Sequence, residues 1–98
     1  MEILFKNDTG PVRNATAIAG RHVVTSAQAT ANAAAIDLSS DIAAVEGAVF
    51  NILRAGNDVT SDADLTFSGS TLTFADGSSY NMTTGDVINY IAFGSKTN

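Results

Sequence analysis

The chain has 98 residues, no cysteine and a formal net charge of −5, with 45% hydrophobic and 15% charged residues. A chain of this length buries one modest core, so we expect a single domain over residues 1–98. The lack of cysteine excludes a disulfide framework, a thiolate nucleophile and a sulfur-rich zinc site.

The charges are unevenly placed along the chain. Residues 1–36 carry three basic and two acidic side chains, whereas residues 37–98 carry two basic and eight acidic ones. Affinity for nucleic acid depends mainly on Lys and Arg, so this distribution argues against a nucleic-acid partner. The charged fraction is below the usual value of about 25%, so the surface must be largely small and polar, and such surfaces cost little to desolvate. This composition favours a subunit that packs against other protein.

No targeting or membrane-spanning segment is evident. The N-terminal MEILFK is too short for a signal peptide, and no apolar run approaches the roughly 20 residues that a span needs. We therefore expect a protein made in the cytosol without a membrane partner.

The N-terminal third predicts short strands. Residues 2–6 form an apolar run that ends at the turn signals of residues 7–11, and residues 21–25 centre on the β-branched pair Val23 and Val24. Residues 26–35 are an uncharged Ala/Thr/Asn tract that fits helix, strand or loop. Its lack of charge indicates that it lies against something.

The main predicted helix covers residues 39–55. Its apolar stripe, spaced 4-3-4-3, faces either the sheet or an identical helix in a neighbouring subunit. If the helices self-associate, the β-branched residues of the stripe favour a trimeric coiled coil over a dimeric one. Gly47 in mid-helix indicates close approach of another backbone. The end signals are a cap from Ser39 or Ser40, Asp41 in the first turn, Arg54 in the last turn and Gly56 as the stop. The stripe consists of Leu38, Ile42, Val45, Val49 and Ile52.

Alternating apolar and polar residues after the helix predict an antiparallel β-meander. With Gly69-Ser70 as a two-residue type II′ turn, the strands 64–68 and 71–74 pair apolar with apolar. A second turn leads to a strand at 78–83. Residues 87–93 fit either a fourth strand or a short terminal helix. We choose the strand, which would place Met82 opposite Ile88 and leave an extra apolar face at Ile91 and Phe93.

These elements predict an α+β fold. The main helix, at about 39–55, packs on an antiparallel meander of strands at about 64–68, 71–74, 78–83 and 87–93, with short N-terminal strands.

Few residues suggest chemistry. His22 is the single histidine, and no nucleophile or orienting carboxylate can be named beside it, so we interpret it as a surface or strand-flanking residue. Asp58, Asp62 and Asp64 form an oxygen-rich segment of the kind calcium takes, although their spacing is not that of an EF-hand. We assign no catalytic, cofactor-binding or metal-binding residue and expect a protein that is not an enzyme.

The C-terminal run GSTLTFADGSSYNMTTGDVINYIAF, at residues 69–93, resembles the end of small structural proteins of tailed-bacteriophage virions. In those proteins a strand, an Asp-Gly turn, a second strand, a Gly-led turn and a last apolar strand follow one another. Their last strand is commonly basic or contains proline, and here it has neither feature. The resemblance implies a non-enzymatic structural subunit, either a capsid decoration (cement) protein or a head-fibre or tail component, and carries over no functional residue.

The leading hypothesis is a capsid decoration subunit located in the virion, with the major capsid protein or other virion subunits as partners. Its expected contacts are residues 26–35 and the exposed face of residues 87–93. One alternative is a trimeric fibre or adhesin-like module held by the stripe over residues 38–52. Another is a calcium-dependent surface binding module built on the three aspartates.

Overall fold

The computed structural model describes residues 2–8 and 15–96 and shows two antiparallel sheets that share one core. The five-stranded sheet has the order β1-β2-β8-β4-β5 and the three-stranded sheet the order β3-β7-β6. The α+β class is therefore wrong, because the described residues contain only one short helix. The elements are β1 Glu2–Asp8, β2 Ala15–Val23, α1 Ser26–Ala31, β3 Ala33–Asp37, β4 Ile42–Arg54, β5 Asn57–Asp58, β6 Asp64–Ser68, β7 Thr71–Ala75 and β8 Val87–Lys96.

The core lies between the two sheets and is stacked around Phe74. The Phe74 ring meets the Phe50 ring edge to face at 5.0 Å and the Tyr90 ring at 6.3 Å. The two sheets thus bury each other's apolar faces, which is why neither needs a long helix for cover. The buried apolar residues include Ile18, Val24, Ala34, Ile36, Leu38, Ile42, Val45, Ile52, Leu72, Phe74, Tyr80, Met82, Ile88, Tyr90 and Ala92.

The predicted main helix over residues 39–55 is wrong, because Ile42–Arg54 is the long strand β4. Two β-bulges interrupt its pairing with β8, between Ile42 and Ala44 and between Val45 and Gly47. Each bulge inserts one extra residue, so the core-facing positions are three apart before they return to every second residue. This spacing imitates a helical stripe. The core-facing positions are Ile42, Val45, Ala48, Phe50 and Ile52.

The helix-end signals have other uses in the structure. The Asp37 carboxylate accepts a hydrogen bond from the Ser39 backbone N–H at 2.8 Å, which shapes the turn before β4. Ala55 and Gly56 both have positive φ, 52° and 83°, and form the two-residue turn between β4 and β5. The glycine that would stop a helix therefore turns a hairpin.

The β6–β7 hairpin is confirmed with its register. Ser68 pairs with Thr71, Phe67 with Leu72, Thr66 with Thr73 and Leu65 with Phe74. Gly69 has a φ of 57° and Ser70 has no positive φ, as a type II′ turn requires.

The predicted third strand at 78–83 is wrong. That segment is irregular, and β7 pairs instead with β3, so residues 26–35 contribute helix α1 and most of a strand of the small sheet. Residues 78–83 are held by side chains: Asp62 accepts the N–H of Ser79 and of Tyr80, and Asp76 accepts the N–H of Met82. Carboxylates thus satisfy backbone groups that a strand partner would otherwise satisfy.

The strand predicted at 87–93 is confirmed as the first part of β8, but its partners differ from the prediction. β8 lies between β2 and β4, with Ile88 opposite His22 on one side and Ile52 on the other, not opposite Met82. The N-terminal strands exist with different bounds, β1 and β2. The predicted turn at residues 7–11 lies mostly outside the described residues.

Candidate interaction surface

The outer face of the five-stranded sheet carries four rows of side chains on β2, β8 and β4. Residues directly opposite each other in an antiparallel sheet share a face, so the strand register defines these rows. Nine of these twelve positions are apolar or glycine, and Arg21 is the one charged residue among them. The rows are Ala17–Phe93–Gly47, Ala19–Ile91–Val49, Arg21–Asn89–Asn51 and Val23–Val87–Leu53.

Four large apolar side chains on this face are exposed to solvent. The exposed fractions are 59% for Val49, 53% for Val23 and 45% each for Ile91 and Phe93. Val49 and Ile91 lie beside Ala19 along an open groove of about 350 Å³. We call the rows that contain these residues the outer apolar face. Phe93, Ile91 and Val49 lie in two adjacent rows, and the polar row Arg21–Asn89–Asn51 separates them from Val23. Contiguous apolar surface, such as that of the two adjacent rows, marks contact sites more often than scattered single residues do.

Phe93 has a structural role as well as an exposed one. A Cβ built on Gly47 would lie 2.6 Å from Phe93 Cε2, so the ring covers the bare glycine across the strand pair. The sequence predicts close approach of a backbone at Gly47, and an aromatic ring occupies that space instead. The ring shields the β4 backbone with one side and presents the other to solvent.

A pair of asparagines borders the apolar rows. Asn89 Nδ2 donates to Asn51 Oδ1 at 3.1 Å across β8 and β4. The pair satisfies part of its own hydrogen-bonding capacity and adds no charge to the face.

The other predicted contact segment, residues 26–35, does not lie on this face. Its helix α1 begins with a capping box, in which Gln28 N donates to Thr25 Oγ1 at 3.2 Å and Thr25 N donates to Gln28 Oε1 at 3.0 Å. The strand β3 that follows belongs to the small sheet, on the other side of the core. One flat partner surface therefore cannot contact both predicted segments.

The three aspartates proposed for calcium are engaged separately or exposed. Asp58 accepts the backbone N–H of Thr60 at 2.8 Å and its hydroxyl at 2.6 Å, and these bonds hold the pKa of Asp58 below its usual value. Hydrogen bonds from the N–H groups of Tyr80 and Ser79 likewise lower the pKa of Asp62. Asp64 is exposed on β6. Within residues 2–8 and 15–96, no group of three or more acidic, His or Cys side chains could hold a metal ion.

The strongest polar cluster, which sequence reasoning missed, surrounds the Asp86 carboxylate. Arg54 Nε donates to Oδ1 at 2.8 Å and Arg54 Nη2 to Oδ2 at 2.9 Å, while the Tyr80 hydroxyl donates to Oδ2 at 2.8 Å. Asp86 is 1% exposed. Burial alone would raise the pKa of Asp86, but the bonds from Arg54 and Tyr80 outweigh it and lower that pKa.

The same cluster raises the pKa of the Tyr80 phenol, first through burial and then through its hydrogen bond to Asp86. Arg54 Nη2 also donates to the Asn81 carbonyl at 2.8 Å, so one guanidinium ties β4 to the loop before β8. Because 32 residues separate Arg54 from Asp86, no local pattern in the sequence indicates the pair.

His22 is buried rather than on the surface, with 8% of its area exposed. Its Nε2 lies 2.8 Å from Gln28 Oε1 in α1. Its Nδ1 is also buried and has no hydrogen-bond partner in the part of the chain that the structure describes.

Comparison of the chain with protein-family models, with curated proteins and with solved structures found no match. None of the helices in the described residues is long and apolar enough to cross a membrane.

Proposed function

We propose that the protein is a non-enzymatic virion structural protein, a capsid decoration subunit that binds the assembled shell through the outer apolar face. The observation that carries the proposal is the concentration of Val23, Val49, Ile91 and Phe93 on one side of the sandwich. The twelve row positions include no acidic residue, and Glu2, opposite Arg21, and Asp58, opposite Leu53, lie on the edge strands. A partner that covers the rows therefore meets carboxylates at the borders of the face rather than within it.

The fold supports attachment of a preformed unit. The accessible surface is 5252 Å², close to the value of about 5300 Å² that size scaling gives for a free monomer of this mass. The chain therefore needs no partner to reach ordinary compactness. Folding without a partner suits a decoration subunit, because such a subunit is added to a finished shell.

The size of the face sets the strength of the contact. Three strands about 4.8 Å apart, over six residues of about 3.4 Å each, give a footprint of roughly 15 by 20 Å. A standard stable interface takes about 800 Å² per partner, which is well above this footprint. We therefore expect weak self-association of the free protein, and stable binding only where the shell extends the contact beyond the sheet.

The alternatives have less support from the fold. The trimeric fibre depends on a helical stripe over residues 38–52, and residues 42–52 of that segment belong to the strand β4. The calcium module depends on three aspartates that are separately engaged or exposed. We propose neither.

Co-sedimentation with assembled shells of the virus whose genome carries the gene tests the proposal. Wild-type protein should pellet with the shells, and Ile91→Glu should weaken binding by about tenfold or more, because it buries a carboxylate in an apolar contact. Thr66→Glu is the matched control, since it adds the same charge at an exposed strand position on the other sheet.

Equal loss in both variants would assign binding to overall charge rather than to the outer apolar face. A wild-type protein that stays monomeric and never pellets with shells would overturn the proposal.

A further inference from the structure

Strand β6 is an open edge of the small sheet. It pairs with β7 on one side, and on its other side no strand lies beside it in the described part of the chain. Natural edge strands are commonly blunted by charges, by bulges or by being short. The edge strand β1 has three charged residues and a bulge, and β5 has two residues. By contrast, β6 has an unbroken register with β7, and its one charge is on its first residue, Asp64.

The turn after β6 determines which of its backbone groups point away from the sheet. In a two-residue hairpin the residues that flank the turn, here Ser68 and Thr71, exchange both of their hydrogen bonds, and the pattern then alternates along the strands. Every second residue, counted back from Ser68, therefore faces β7 with its N–H and C=O, whereas Leu65 and Phe67 face outward. No other backbone group among the described residues bonds to these outward groups.

The side chains of Leu65 and Phe67 leave apolar surface at the same edge. They lie opposite the buried Phe74 and Leu72, so they are on the core-facing side of the small sheet. Leu65 packs partly against the core, but Phe67 is 44% exposed. A strand added beside β6 would cover part of this ring while it paired the outward backbone groups.

A second copy of β6 fits this edge in an antiparallel arrangement. With Thr66 on the two-fold axis, Leu65 of each copy lies opposite Phe67 of the other, and every outward N–H and C=O of both strands finds a partner. The Leu65 and Phe67 side chains then meet on the core-facing side, and the two Thr66 side chains meet on the outer side.

The residues at the two ends of β6 exclude the neighbouring registers. An axis at Leu65 would require the N–H of Ala63, which already donates to the Thr60 carbonyl at 2.9 Å. An axis at Phe67 would pair Leu65 with Gly69, a turn residue with a φ of 57° whose carbonyl accepts a hydrogen bond from β4. The register centred on Thr66 uses only groups that are not engaged within the chain.

The same register keeps like charges apart. Asp64 of each copy lies opposite Ser68 of the other, so a carboxylate faces a hydroxyl rather than a second carboxylate. Each chain carries a net charge of −5, so general repulsion opposes association of two copies. Salt screens this repulsion, and added salt should therefore strengthen the contact.

From these observations we propose that the protein forms a symmetric dimer in which two β6 strands pair antiparallel about Thr66 and join the two small sheets into one six-stranded sheet. The contact is about 17 Å long, five residues of about 3.4 Å each, and covers less than the roughly 800 Å² per partner of a standard interface. The expected dissociation constant is on the order of 0.1 mM. The dimer does not depend on the outer apolar face or on the proposed shell, because β6 belongs to the other sheet.

Sedimentation equilibrium between about 10 µM and 1 mM protein tests the dimer. The wild type should pass from monomer to dimer over this range, at lower concentration when salt is added. Thr66→Lys places two ammonium groups against each other at the axis and should weaken the dimer about tenfold or more, although it reduces the net negative charge. Thr84→Lys is the matched control, because it makes the same change at an exposed position in the turn before β8 and should dimerise at least as well as wild type.

A charge-swap experiment tests the register. Thr66→Lys and Thr66→Glu should each be monomeric alone at 0.1 mM, and their mixture should form a heterodimer, because opposite charges then face each other at the axis. A mixture that remains monomeric under conditions where the wild type dimerises would overturn the pairing about Thr66.

Wild-type NMR spectra cover the case in which a substitution at Thr66 disturbs the hairpin. The amide signals of Leu65 and Phe67 should move with protein concentration, since their N–H groups become bonded in the dimer. A wild type that is still monomeric at 1 mM would overturn the proposal. So would a dimer that persists in Thr66→Lys but is lost in Ile91→Glu, because that result assigns self-association to the outer apolar face.

Discussion

The Asp86 carboxylate shows how one residue can join distant parts of this fold. A buried carboxylate is tolerated only when donors satisfy its oxygens, and Asp86 has donors from Arg54, from the Tyr80 hydroxyl and from the Thr83 N–H at 3.1 Å. The backbone of Asp86 is engaged too, because its carbonyl accepts the Val24 N–H at 2.8 Å. The residue thus connects the ends of β2 and β4 to the start of β8.

Asp86→Asn should destabilise the protein. The substitution keeps the size of the side chain but removes the charge-assisted hydrogen bonds to Arg54. Because 41% of the Arg54 side chain is exposed, water can replace some of these hydrogen bonds. We expect a loss of about 2 kcal/mol in the free energy of unfolding. This is smaller than the cost of breaking an ion pair whose remaining partner is fully buried. Urea denaturation at pH 7 measures this difference. Asp64→Asn is the control, because Asp64 is exposed on β6, and a loss as large as that of Asp86→Asn would show that carboxylates matter through net charge alone.

The same carboxylates predict acid sensitivity. The pKa of Asp86 and that of Asp62 are lowered in the folded state, so the unfolded chain binds protons at these sites at a higher pH than the folded chain does. Their contribution to stability is complete well above about pH 4, the ordinary aspartate value, and is lost as the pH falls below it. Urea midpoints from pH 6 to pH 2 should show this decline, with a shallower slope for Asp86→Asn. Identical slopes in the two proteins would exclude Asp86 as a source of the acid sensitivity.

At the scale of elements, the β6–β7 hairpin depends on the backbone of Gly69. Its φ of 57° is a left-handed value, and a Cβ built there would meet nothing within 4 Å. Gly69→Val therefore tests backbone strain without a steric clash, and we expect a loss of about 1–2 kcal/mol in the free energy of unfolding. Thr66→Val, on the exposed face of β6, should stay within about 0.5 kcal/mol of wild type. If the two variants were equally destabilised, the hairpin would not depend on the backbone conformation of Gly69.

Sequence reasoning was accurate where an element depends on residues close to it in the chain, and it failed where the element depends on distant residues. The hairpin at residues 64–75 was predictable to the register, because the two-residue turn and the alternation beside it carry all the information. The strand β4 was not predictable, because its bulges convert period two into a helix-like spacing and its flanking residues resemble helix caps. The partner of β7 is also distant, since β3 lies about 40 residues earlier in the chain.

The candidate surface was predictable in part for the same reason. The alternation in β8 indicated that Ile91 and Phe93 face away from Ile88 and Tyr90, and the exposed fractions confirm it. The rows contributed by β2 and β4 could not be inferred, because they depend on pairing across the whole chain. Contacts between Arg54 and Asp86, and between Nε2 of His22 and Gln28, depend on the tertiary fold in the same way.

At the scale of the whole molecule, β8 joins two parts of the large sheet, β1-β2 and β4-β5, that are not paired with each other. It pairs with β2 on one edge, roughly 64–80 residues earlier in the chain, and with β4 on the other, roughly 34–54 residues earlier. Pairing over such separations requires loop closure before any contact is gained, so we expect folding in milliseconds to seconds rather than microseconds.

The position of β8 leads to a prediction for a chain of residues 1–86. Without β8, the hairpins β1-β2 and β4-β5 lack the strand between them, and the core loses Ile88, Tyr90 and Ala92. Isolated two-stranded hairpins are marginal in water, so residues 1–86 should be unfolded by circular dichroism and show a collapsed amide NMR spectrum. Adding a peptide of residues 87–98 should restore the strand signal, because the peptide completes both edges and the core together, whereas the same peptide with Ile88→Asp should fail. A dispersed spectrum from residues 1–86 alone would show that the small sheet and β4 fold without the strand that divides the large sheet.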